Sequence, residues 1–527
     1  MCGILLFAGK NHEVHCRENG LSLLPRGPDK QKLLVREKYS MYFTRLRIVG
    51  NDAHSMQPFS TEIERCDDET ISDTICNGEI YNFKSLLRVT QSPHHPEFEH
   101  YRESMCDCEV IHQAHVSQVD NIADKLDGVF AYINVTDNVL EAARDPIGVR
   151  PLFIGYKDGT LGLSSEVKAL KPLWPNVYPF PPGHRVNINL ETFLSIQTWK
   201  PYCTPWLSIP IKLDITRRQA HVQIVDNLKQ SVKKRLMSDR PIAALLSGGL
   251  DSSLICGLLS TLTDKPLHTF SIGLKGSPDL KHAQDVANHL KTIHTVVEVQ
   301  ESDFKEAVPK VIHLLETCDV TTIRASVPMY LLCKHIAEKT DFKVIFSGEG
   351  SDEISQGYLY FHRRPSIQEA DKDSRRLIQD LHYFDVLRAD RCTAGQGLEL
   401  RVPFLDKKFV SYYMSLPDAW RAVGEEKTEK FLLREAFDKE MPKLIPKEVL
   451  WRKKDGFSDG VTAMEDKPWF EKLECKDDVT LPDSLPDTPE ARYYYKIFHE
   501  LYPGLDHLHP YTWKAQWGDG VISGRKV

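Results

Sequence analysis

No stretch of the chain approaches the ~20 consecutive apolar residues of a membrane-spanning helix. The apolar run Ile4 to Ala8 is too short for a secretory signal and follows no basic segment, so neither a membrane protein nor a secreted one is expected. An excess of basic charge is also lacking. Against 67 Lys and Arg stand 74 Asp and Glu, a net charge of -7, and the pI is near 6.3, so no electrostatic footprint invites nucleic acid. Lys233-Lys234-Arg235 and Arg452-Lys453-Lys454 are local clusters, and the first reads as a solvated helix face. There is no GxxxxGK[ST] string, which excludes a Walker A phosphate loop. The twelve cysteines are scattered, with Cys256, Cys318 and Cys333 inside apolar runs. That excludes a disulfide framework and suits the reduced thiols of a cytoplasmic protein. Cys106-Asp107-Cys108 and the histidines at 12, 15, 94 and 95 find no second CxxC or spaced His pair, so structural zinc is not expected.

What is present is an ordinary globular composition, 41% hydrophobic and 27% charged, over 527 residues. That length is too great for one core and sets a prior of two or three domains. The chain is organised around Ile242-Ala-Ala-Leu-Leu-Ser-Gly-Gly-Leu-Asp-Ser-Ser253. Its first five residues form an apolar run suited to a buried parallel strand. Ser247, Gly248 and Gly249 make a tight turn, and a helix follows with Ser252 or Ser253 near its N-cap and Leu254, Leu258 and Thr261 on one face. Strand, glycine turn and helix N-terminus make an anion cradle of backbone N–H groups. Asp251 in that cradle would repel phosphate unless a cation lies between them, which points to Mg²⁺ carried with a nucleotide. A second cluster, Val344-Ile-Phe-Ser-Gly-Glu-Gly-Ser-Asp-Glu353, repeats the logic. Asp352 is the second metal-ligand candidate, and Glu353 stands either as a partner behind it or as an N-cap acid.

The remaining pattern divides the chain. Short β-prone runs separated by polar turns fill the N-terminal third and read as a β-rich layered structure. They carry Cys2, Arg26-Gly-Pro-Asp29, Arg45-Leu46-Arg47-Ile48-Val49, Asn77-Gly78-Glu79, Cys106-Asp107-Cys108-Glu109, Ala143 to Leu152 and Ser164 to Leu170. Pro-rich punctuation at Phe180-Pro-Pro-Gly183 and from Trp199 to Pro210 marks a join. Beyond it, a helix with Val225, Leu228, Val232 and Leu236 on one face precedes alternating strands and helices. Leu267 to Gly273, the helix through Leu280, Ala283, Ala287 and Leu290, and His294 to Val299 argue a doubly wound parallel sheet. The boundaries expected are 2–190, a linker 191–212, 213–517 and a tail 518–527.

Cysteine at position 2 permits removal of the initiator methionine. The freed α-amine, with a pKa of about 8, would then serve as the nucleophile's own base. The ordered N-terminal clusters resemble class II glutamine amidotransferases, which are N-terminal-nucleophile hydrolases with a layered β-sheet sandwich. That resemblance implies that Cys2 attacks the glutamine amide while Asn77 and Gly78 form the oxyanion hole. It also implies a glutamine site of Arg45, Leu46, Arg47, Ile48, Val49, Asn77, Gly78, Glu79 and Asp107. Arg45 would hold the α-carboxylate, and Glu79 and Asp107 the α-ammonium. Three positions depart from the family pattern: Pro25 where His is usual, Arg47 where a small residue is common, and Gly50 where Asp is common.

The Ser-Gly-Gly-Leu-Asp-Ser-Ser string resembles the pyrophosphate loop of N-type ATP pyrophosphatases. Further matches are Cys318 to Ser326, Gln356-Gly-Tyr358, Asp385 to Arg391, Gly397 to Asp406, Trp451 to Gly460 and the tyrosines at 493 to 495. With both halves together, the chain resembles the glutamine-hydrolysing asparagine synthetase family from Cys2 to about Trp517. That implies an ATP site of Leu245, Ser247, Gly248, Gly249, Leu250, Asp251, Ser252, Ser253, Ile272, Ser347 and Gly348. Lys454 would brace the α-phosphate, Glu349 would activate ammonia, and Thr321 and Arg324 would meet the intermediate or the ammonia exit. A helical layer from Pro403 onward, an internal ammonia channel and a homodimer are also implied, although no residue pattern marks a dimer interface. The rival readings are a β-lactam synthetase-like cyclase, which would not need Cys2, Asn77 and Glu79, and a non-catalytic paralogue, which would not need the metal acids. A purine-pathway amidotransferase does not account for the pyrophosphatase loop.

Overall fold

The computed structural model describes residues 1–50, 55–65, 68–90, 106–193, 199–207, 215–424, 428–453, 468–475 and 479–517. Lys454, His94, His95 and the tail 518–527 lie outside the described residues. The chain forms two compact units. One comprises Met1–Thr204 with Met237–Arg240 and Ala394–Leu398; the other comprises Pro205–Leu236, Pro241–Thr393 and Glu399–Val527.

The first unit holds two six-stranded sheets, both antiparallel. One runs Val177–Pro179, Phe153–Lys157, Thr160–Ser164, Gly3–Gly9, Tyr39–Arg45, Lys30–Val35 in spatial order. The other runs Lys200–Pro201, His184–Asn189, Val139–Arg144, Gly128–Thr136, Asp68–Ile80, Phe59–Arg65. Alternation along each strand decides which face meets which. Ile4, Leu6, Ala8, Met41 and Phe43 of the first sheet pack against Ile75, Ala131, Ile133, Val135, Leu140 and Ala142 of the second. Each fully buried Ile or Leu there contributes roughly 1.5–3 kcal/mol. A one-residue slip would turn this whole set outward, so the register that places Cys2 is strongly held. On the far face of the second sheet, Cys76, Phe130 and Tyr132 pack with Val110, Ile111 and Ala114 of the helix Glu109–Val116. The helix His12–Asn19 packs on Gly3–Gly9 and Tyr39–Arg45, which completes a helix–sheet–sheet–helix layering.

Two motifs receive structural explanations. In Ala143 to Leu152, the carboxylate of Asp145 accepts four backbone N–H bonds, from Ile147, Gly148, Val149 and Arg150, at 2.8–3.1 Å. This cluster shapes a buried turn. Asn77-Gly78, expected in a turn-like cluster, lies instead within the strand Asp68–Ile80, opposite Ala131 and Phe130. The long hydrogen-bonded pairing with Gly128–Thr136 overrides the local turn preference of Asn-Gly.

The second unit is built on a five-stranded parallel sheet in the order Ile293–Val299, His268–Leu274, Ile242–Leu245, Val344–Phe346, Glu399–Arg401. The chain winds one way from Ile242–Leu245 and then returns to its other side at Val344–Phe346. The carboxyl ends of these two neighbours therefore form the topological switch point, where open α/β sheets bind ligands. The next helix, Leu250–Leu262, has Gly249 as its N-cap, so Ser252 and Ser253 fall in its first turn and not at the cap. Gly248, with φ +76°, redirects the chain into the helix earlier than the serines suggested. Leu254 to Leu259 are all buried, whereas Thr261 is exposed, so the helix is covered on more than the expected single face.

Arg235, expected on a solvated helix face, is buried, because a carboxylate rewards its burial: it and Lys234 pair with Asp406 at 2.7 and 2.5 Å. Burial disfavours the Asp406 carboxylate, yet the two cations hold its pKa down to about 2. Asp406 also caps the helix Lys407–Ser415, which gives the Gly397 to Asp406 motif a structural task.

Candidate active sites

In the first unit, the face-to-face packing of the two sheets places Cys2 beside Asn77. The Cys2 backbone N–H donates to Asn77 Oδ1 at 2.9 Å, and the thiol lies 3.9 Å from the Leu46 carbonyl. Asn77 Nδ2 is buried with no hydrogen-bond partner among the described residues. An amide donor left unsatisfied beside a thiol is poised for an acceptor that arrives with a ligand. Cys2 keeps some accessible surface, but its sulfur lies among packed atoms, and burial pushes the thiol up to about 11. At neutral pH it is protonated and needs a base. Removal of Met1 would turn the Cys2 amide into an α-amine attached to the same residue.

Arg26, a buried member of the Arg26 to Asp29 cluster, donates to the Cys2 carbonyl at 3.1 Å and pairs with Glu166 at 2.9 Å. Two motifs 140 residues apart thus meet next to the Cys2 backbone. Of the residues expected to bind glutamine, Arg45 ends the strand Tyr39–Arg45 and donates to the Gly50 carbonyl. Arg45, Leu46, Ile48, Glu79 and Asp107 are buried, Asp107 accepting from the Ile80 N–H at 2.6 Å. Gly78 accepts from the Cys108 thiol at 3.3 Å. Arg47 and Val49 are half-buried.

Pro25 is exposed, and the neighbouring Arg26 carries the contact to Cys2. Pro25→His should leave glutamine-dependent turnover within about twofold of the wild type, as surface substitutions away from special features do. Steady-state glutaminase kinetics checks this.

In the second unit, the loop after Ile242–Leu245 folds on itself. Ser247 Oγ and Ser252 Oγ lie 3.0 Å apart, and the Gly249 N–H donates to Ser247 Oγ at 3.3 Å. Any Cβ on Gly248 would sit 2.5 Å from the Ala283 backbone nitrogen. Leu250, Asp251, Ser252 and Ser253 form the first helical turn, with their N–H groups at the positive end of a 13-residue helix. Leu245 ends its strand opposite Phe270, and Ile272 is buried on the neighbouring strand. Across the switch point, the Ser347 N–H donates to the Arg401 carbonyl at 2.9 Å. Gly348 lies so close that a Cβ there would be 2.8 Å from the Ser252 nitrogen. The two loops expected to form one nucleotide site therefore do meet.

Between them lies a residue that sequence reasoning missed. Lys430 Nζ is 2.5 Å from Asp251 Oδ2 and 2.8 Å from Asp352 Oδ1. Burial pushes its ammonium down, but the two acids outweigh that and hold it above its ordinary value. Asp251 Oδ1 remains buried without a hydrogen-bond partner among the described residues. A pair of converging hard oxygen ligands with an orphaned buried oxygen fits Mg²⁺ chemistry. Gly357 explains the Gln356-Gly-Tyr358 motif, since its Cβ would fall 2.0 Å from Asp352 Oδ1 and 2.1 Å from Lys430 Cε. Gly357→Ala should push these side chains apart and lower synthetase activity at least tenfold while sparing glutaminase activity.

Glu349 stands beside Asp352 in sequence but has its own partner. Arg388 bridges Glu349 at 2.7 Å and Asp385 at 2.6 Å, and Ser347 Oγ donates to Glu349 at 3.4 Å. Burial raises the Glu349 carboxyl above its ordinary range, and the Arg388 charge pulls it back. Glu353 is buried inside the short helix Ser351–Ser355, whose N-cap is Gly350. It accepts from Tyr358 Oη, so the N-cap alternative is set aside.

Thr321 and Arg324 answer to other neighbours. Thr321 donates to the Trp513 carbonyl at 3.4 Å, and Arg324 pairs with Glu490 while lying 4.0 Å over the Phe470 ring. These contacts tie the helix Val320–Lys339 to C-terminal segments. Lys454 lies outside the described residues, but Arg452, two positions before it, donates to the Gly248 carbonyl at 3.4 Å and pairs with Asp279 at 3.3 Å.

Both units have counterparts among known proteins. Residues 1–188 match the family described as a glutamine amidotransferase domain. Residues 223–375 and 366–520 match the family described as asparagine synthase. Layered sheets around Cys2 and a parallel sheet around the Ser247 loop thus define a two-domain protein joining an amidotransferase to a synthase. Proteins named asparagine synthetase [glutamine-hydrolyzing] from Gallus gallus and Homo sapiens are each 39% identical to this chain, and that from Bos taurus is 40% identical. Each alignment covers 98% of this chain and 96% of the relative. The chain belongs to the family of glutamine-hydrolysing asparagine synthetases.

Proposed function

We propose that the protein makes asparagine from aspartate, using ATP and the side-chain nitrogen of glutamine. The observation that carries this reading is the meeting of the Ser247–Ser253 loop with the acids of the Ser347 loop at the switch point, in a chain that also sets Cys2 against Asn77. In the first site the Cys2 sulfur attacks the glutamine amide carbon, and the freed α-amine takes the thiol proton. Asn77 Nδ2 and the Gly78 N–H hold the developing oxyanion, while Arg45, Glu79 and Asp107 hold the amino-acid end. Ammonia leaves, and water hydrolyses the glutamyl thioester to glutamate.

In the second site an aspartate side-chain oxygen attacks the α-phosphorus of ATP, and pyrophosphate departs. The Ser247–Ser253 N–H groups and helix N-terminus cradle the phosphates, Leu245, Ile272, Ser347 and Gly348 contact adenosine, and Lys454 braces the α-phosphate. Asp251 and Asp352 would hold Mg²⁺, which supplies charge neutralisation to the triphosphate. Lys430 keeps these acids compensated. Ammonia then attacks the acyl carbon of β-aspartyl-AMP. Glu349 takes the proton from the nitrogen as it becomes cationic, and AMP leaves. Thr321 and Arg324 are placed in this reading at the intermediate or the ammonia exit. Cytoplasmic location, supported by the buried thiols, and a homodimer belong to the same proposal.

Glu349 gives the reading a pH signature. Only its deprotonated form can accept the proton, and Arg388 lowers the pH at which that form appears. Arg388→Gln should therefore move the acid limb of the ammonium-dependent rate to higher pH by about one unit, read from the kcat profile.

The test of the whole reading is formation of asparagine and pyrophosphate from aspartate, ATP-Mg²⁺ and either glutamine or ammonium. Both nitrogen sources should give both products. Absence of pyrophosphate with either source would overturn the reading in favour of a non-catalytic protein.

A further inference from the structure

We propose that Cys106, Asp107 and Cys108 form a binding site for a thiophilic divalent cation of the Zn²⁺ or Cd²⁺ class, and that its occupancy shuts down glutamine use. One ligand atom from each of the three residues lies within 4.8 Å of the other two. The convergence follows from the local fold. Cys108 is the N-cap of the helix Glu109–Val116 with φ -67° and ψ -19°, and the Glu109 N–H donates back to the Cys106 carbonyl at 3.0 Å. This tight turn brings residues i and i+2 together around the intervening carboxylate. Asp107 is anchored by the Ile80 N–H, and its other oxygen lies 3.8 Å from the Cys106 sulfur. All three residues are buried, and Cys106 and Cys108 share a core cluster with Phe59, Ile80, Val110 and Ile111. The Cys76 thiol, on the strand beside them, is within hydrogen-bonding reach of Cys108.

Two thiols and a carboxylate supply three positions of a tetrahedral site and leave one for water. Free thiols are protonated at neutral pH, and it is the thiolate that binds a metal. Binding would form two metal–sulfur bonds and one metal–oxygen bond and release two thiol protons to solvent. Two thiolates, one carboxylate and a divalent cation leave one net negative charge, whereas three bare anions in this core would repel one another. The inhibitory half of the proposal rests on the glutaminase reading, because there Asp107 holds the glutamine ammonium. A carboxylate bound to metal cannot also serve the substrate.

The test uses the full-length, reduced, metal-free protein titrated with Cd²⁺, followed by thiolate-to-cadmium charge-transfer absorption. Synthesis from glutamine and from ammonium is measured alongside in thiol-free buffer. We expect one tight equivalent in the wild type and also in Cys2→Ala. In Cys106→Ser that equivalent should weaken by roughly a hundredfold or more, since even an outer partner of a metal site is worth 10–100-fold. Cys106→Ser should keep glutamine-dependent synthesis and become insensitive to Cd²⁺, and Cys108→Ser should lose the same equivalent. In the wild type, Cd²⁺ should suppress synthesis from glutamine and spare that from ammonium. Equal Cd²⁺ affinity in the wild type and both serine variants would overturn the site, as would loss of the equivalent in Cys2→Ala. Cadmium binding that depends on Cys106 without inhibition would overturn the coupling. A wild type that binds Cd²⁺ through Cys106 but never uses glutamine would overturn the glutaminase reading and leave the site standing.

Discussion

Cys2→Ala should abolish asparagine formation from glutamine and leave formation from ammonium almost untouched. The alanine side chain has no nucleophile, and nothing else on the strand Gly3–Gly9 replaces the thiol against Asn77. Loss of a covalent nucleophile that works as a unit with its base costs about 10⁴-fold or more. The Ser247–Ser253 loop and the acids facing it belong to the other compact unit. Changes at independent sites add without coupling, so the ammonium-driven rate should stay within about twofold of the wild type. Paired initial-rate assays, with ammonium held at saturation, read the two routes separately. Equal collapse of both routes would mean that Cys2 supports the fold or the ligase reaction and is not a dedicated nucleophile for glutamine. An intermediate result is also informative through Met1. If the wild type uses glutamine poorly, the mass of its N-terminus should reveal retained methionine, which would leave the thiol without its base.

Much of this arrangement is legible in the sequence because local rules carry it. Apolar runs ending in Ser-Gly turns gave the strands Ile242–Leu245 and Val344–Phe346 and the acids that follow them. The turn chemistry of glycine and the positive end of a helix then point to phosphate without long-range knowledge. The reading went astray where tertiary context overrode local preference. Asn77-Gly78 has the composition of a hairpin turn and lies in mid-strand, because its neighbours gain a continuous ladder with Gly128–Thr136. The helix after the loop begins at Leu250, before the serines, since Gly248 and Gly249 provide the change of direction.

Other features were invisible because their partners are far apart in the chain. Arg26 and Glu166 both stand in noted clusters, but only the fold shows that Glu166 pairs with the Arg26 that donates to the Cys2 carbonyl. Arg235 looked like part of a solvated basic run, and its burial follows from Asp406, 171 residues later. Arg388 lies in a noted run without any cue to its partner Glu349. Cys106 and Cys108 have no second CxxC to mark them in the sequence. The donor that completes their cluster is the carboxylate between them, which a search for Cys and His spacing does not count.

Lys430 is the extreme case. It contacts Asp251 across 179 residues and begins the helix Phe431–Glu440 in a left-handed N-cap conformation, with nothing around it resembling a nucleotide motif. Its removal should nevertheless stop synthesis with either nitrogen source. Lys430→Ala leaves Asp251 and Asp352 facing each other without their buried cation, and breaking a buried pair in this way costs about 3–5 kcal/mol. A phosphate site that turns anionic should lose about 10²–10³-fold in rate, the scale of removing one preorganised electrostatic partner. Glutaminase activity should persist, which separates this loss from global unfolding. Thermal unfolding supplies a second readout. Mg²⁺ without nucleotide should raise the midpoint of Lys430→Ala more than that of the wild type, because the variant offers the cation two uncompensated carboxylates. Lys430→Arg restores charge but not the compact ammonium geometry between two oxygens, so it should recover stability ahead of activity. If Lys430→Ala kept full synthesis from ammonium, Asp251 and Asp352 would not depend on Lys430 for charge balance, and its assigned role in the site would fail.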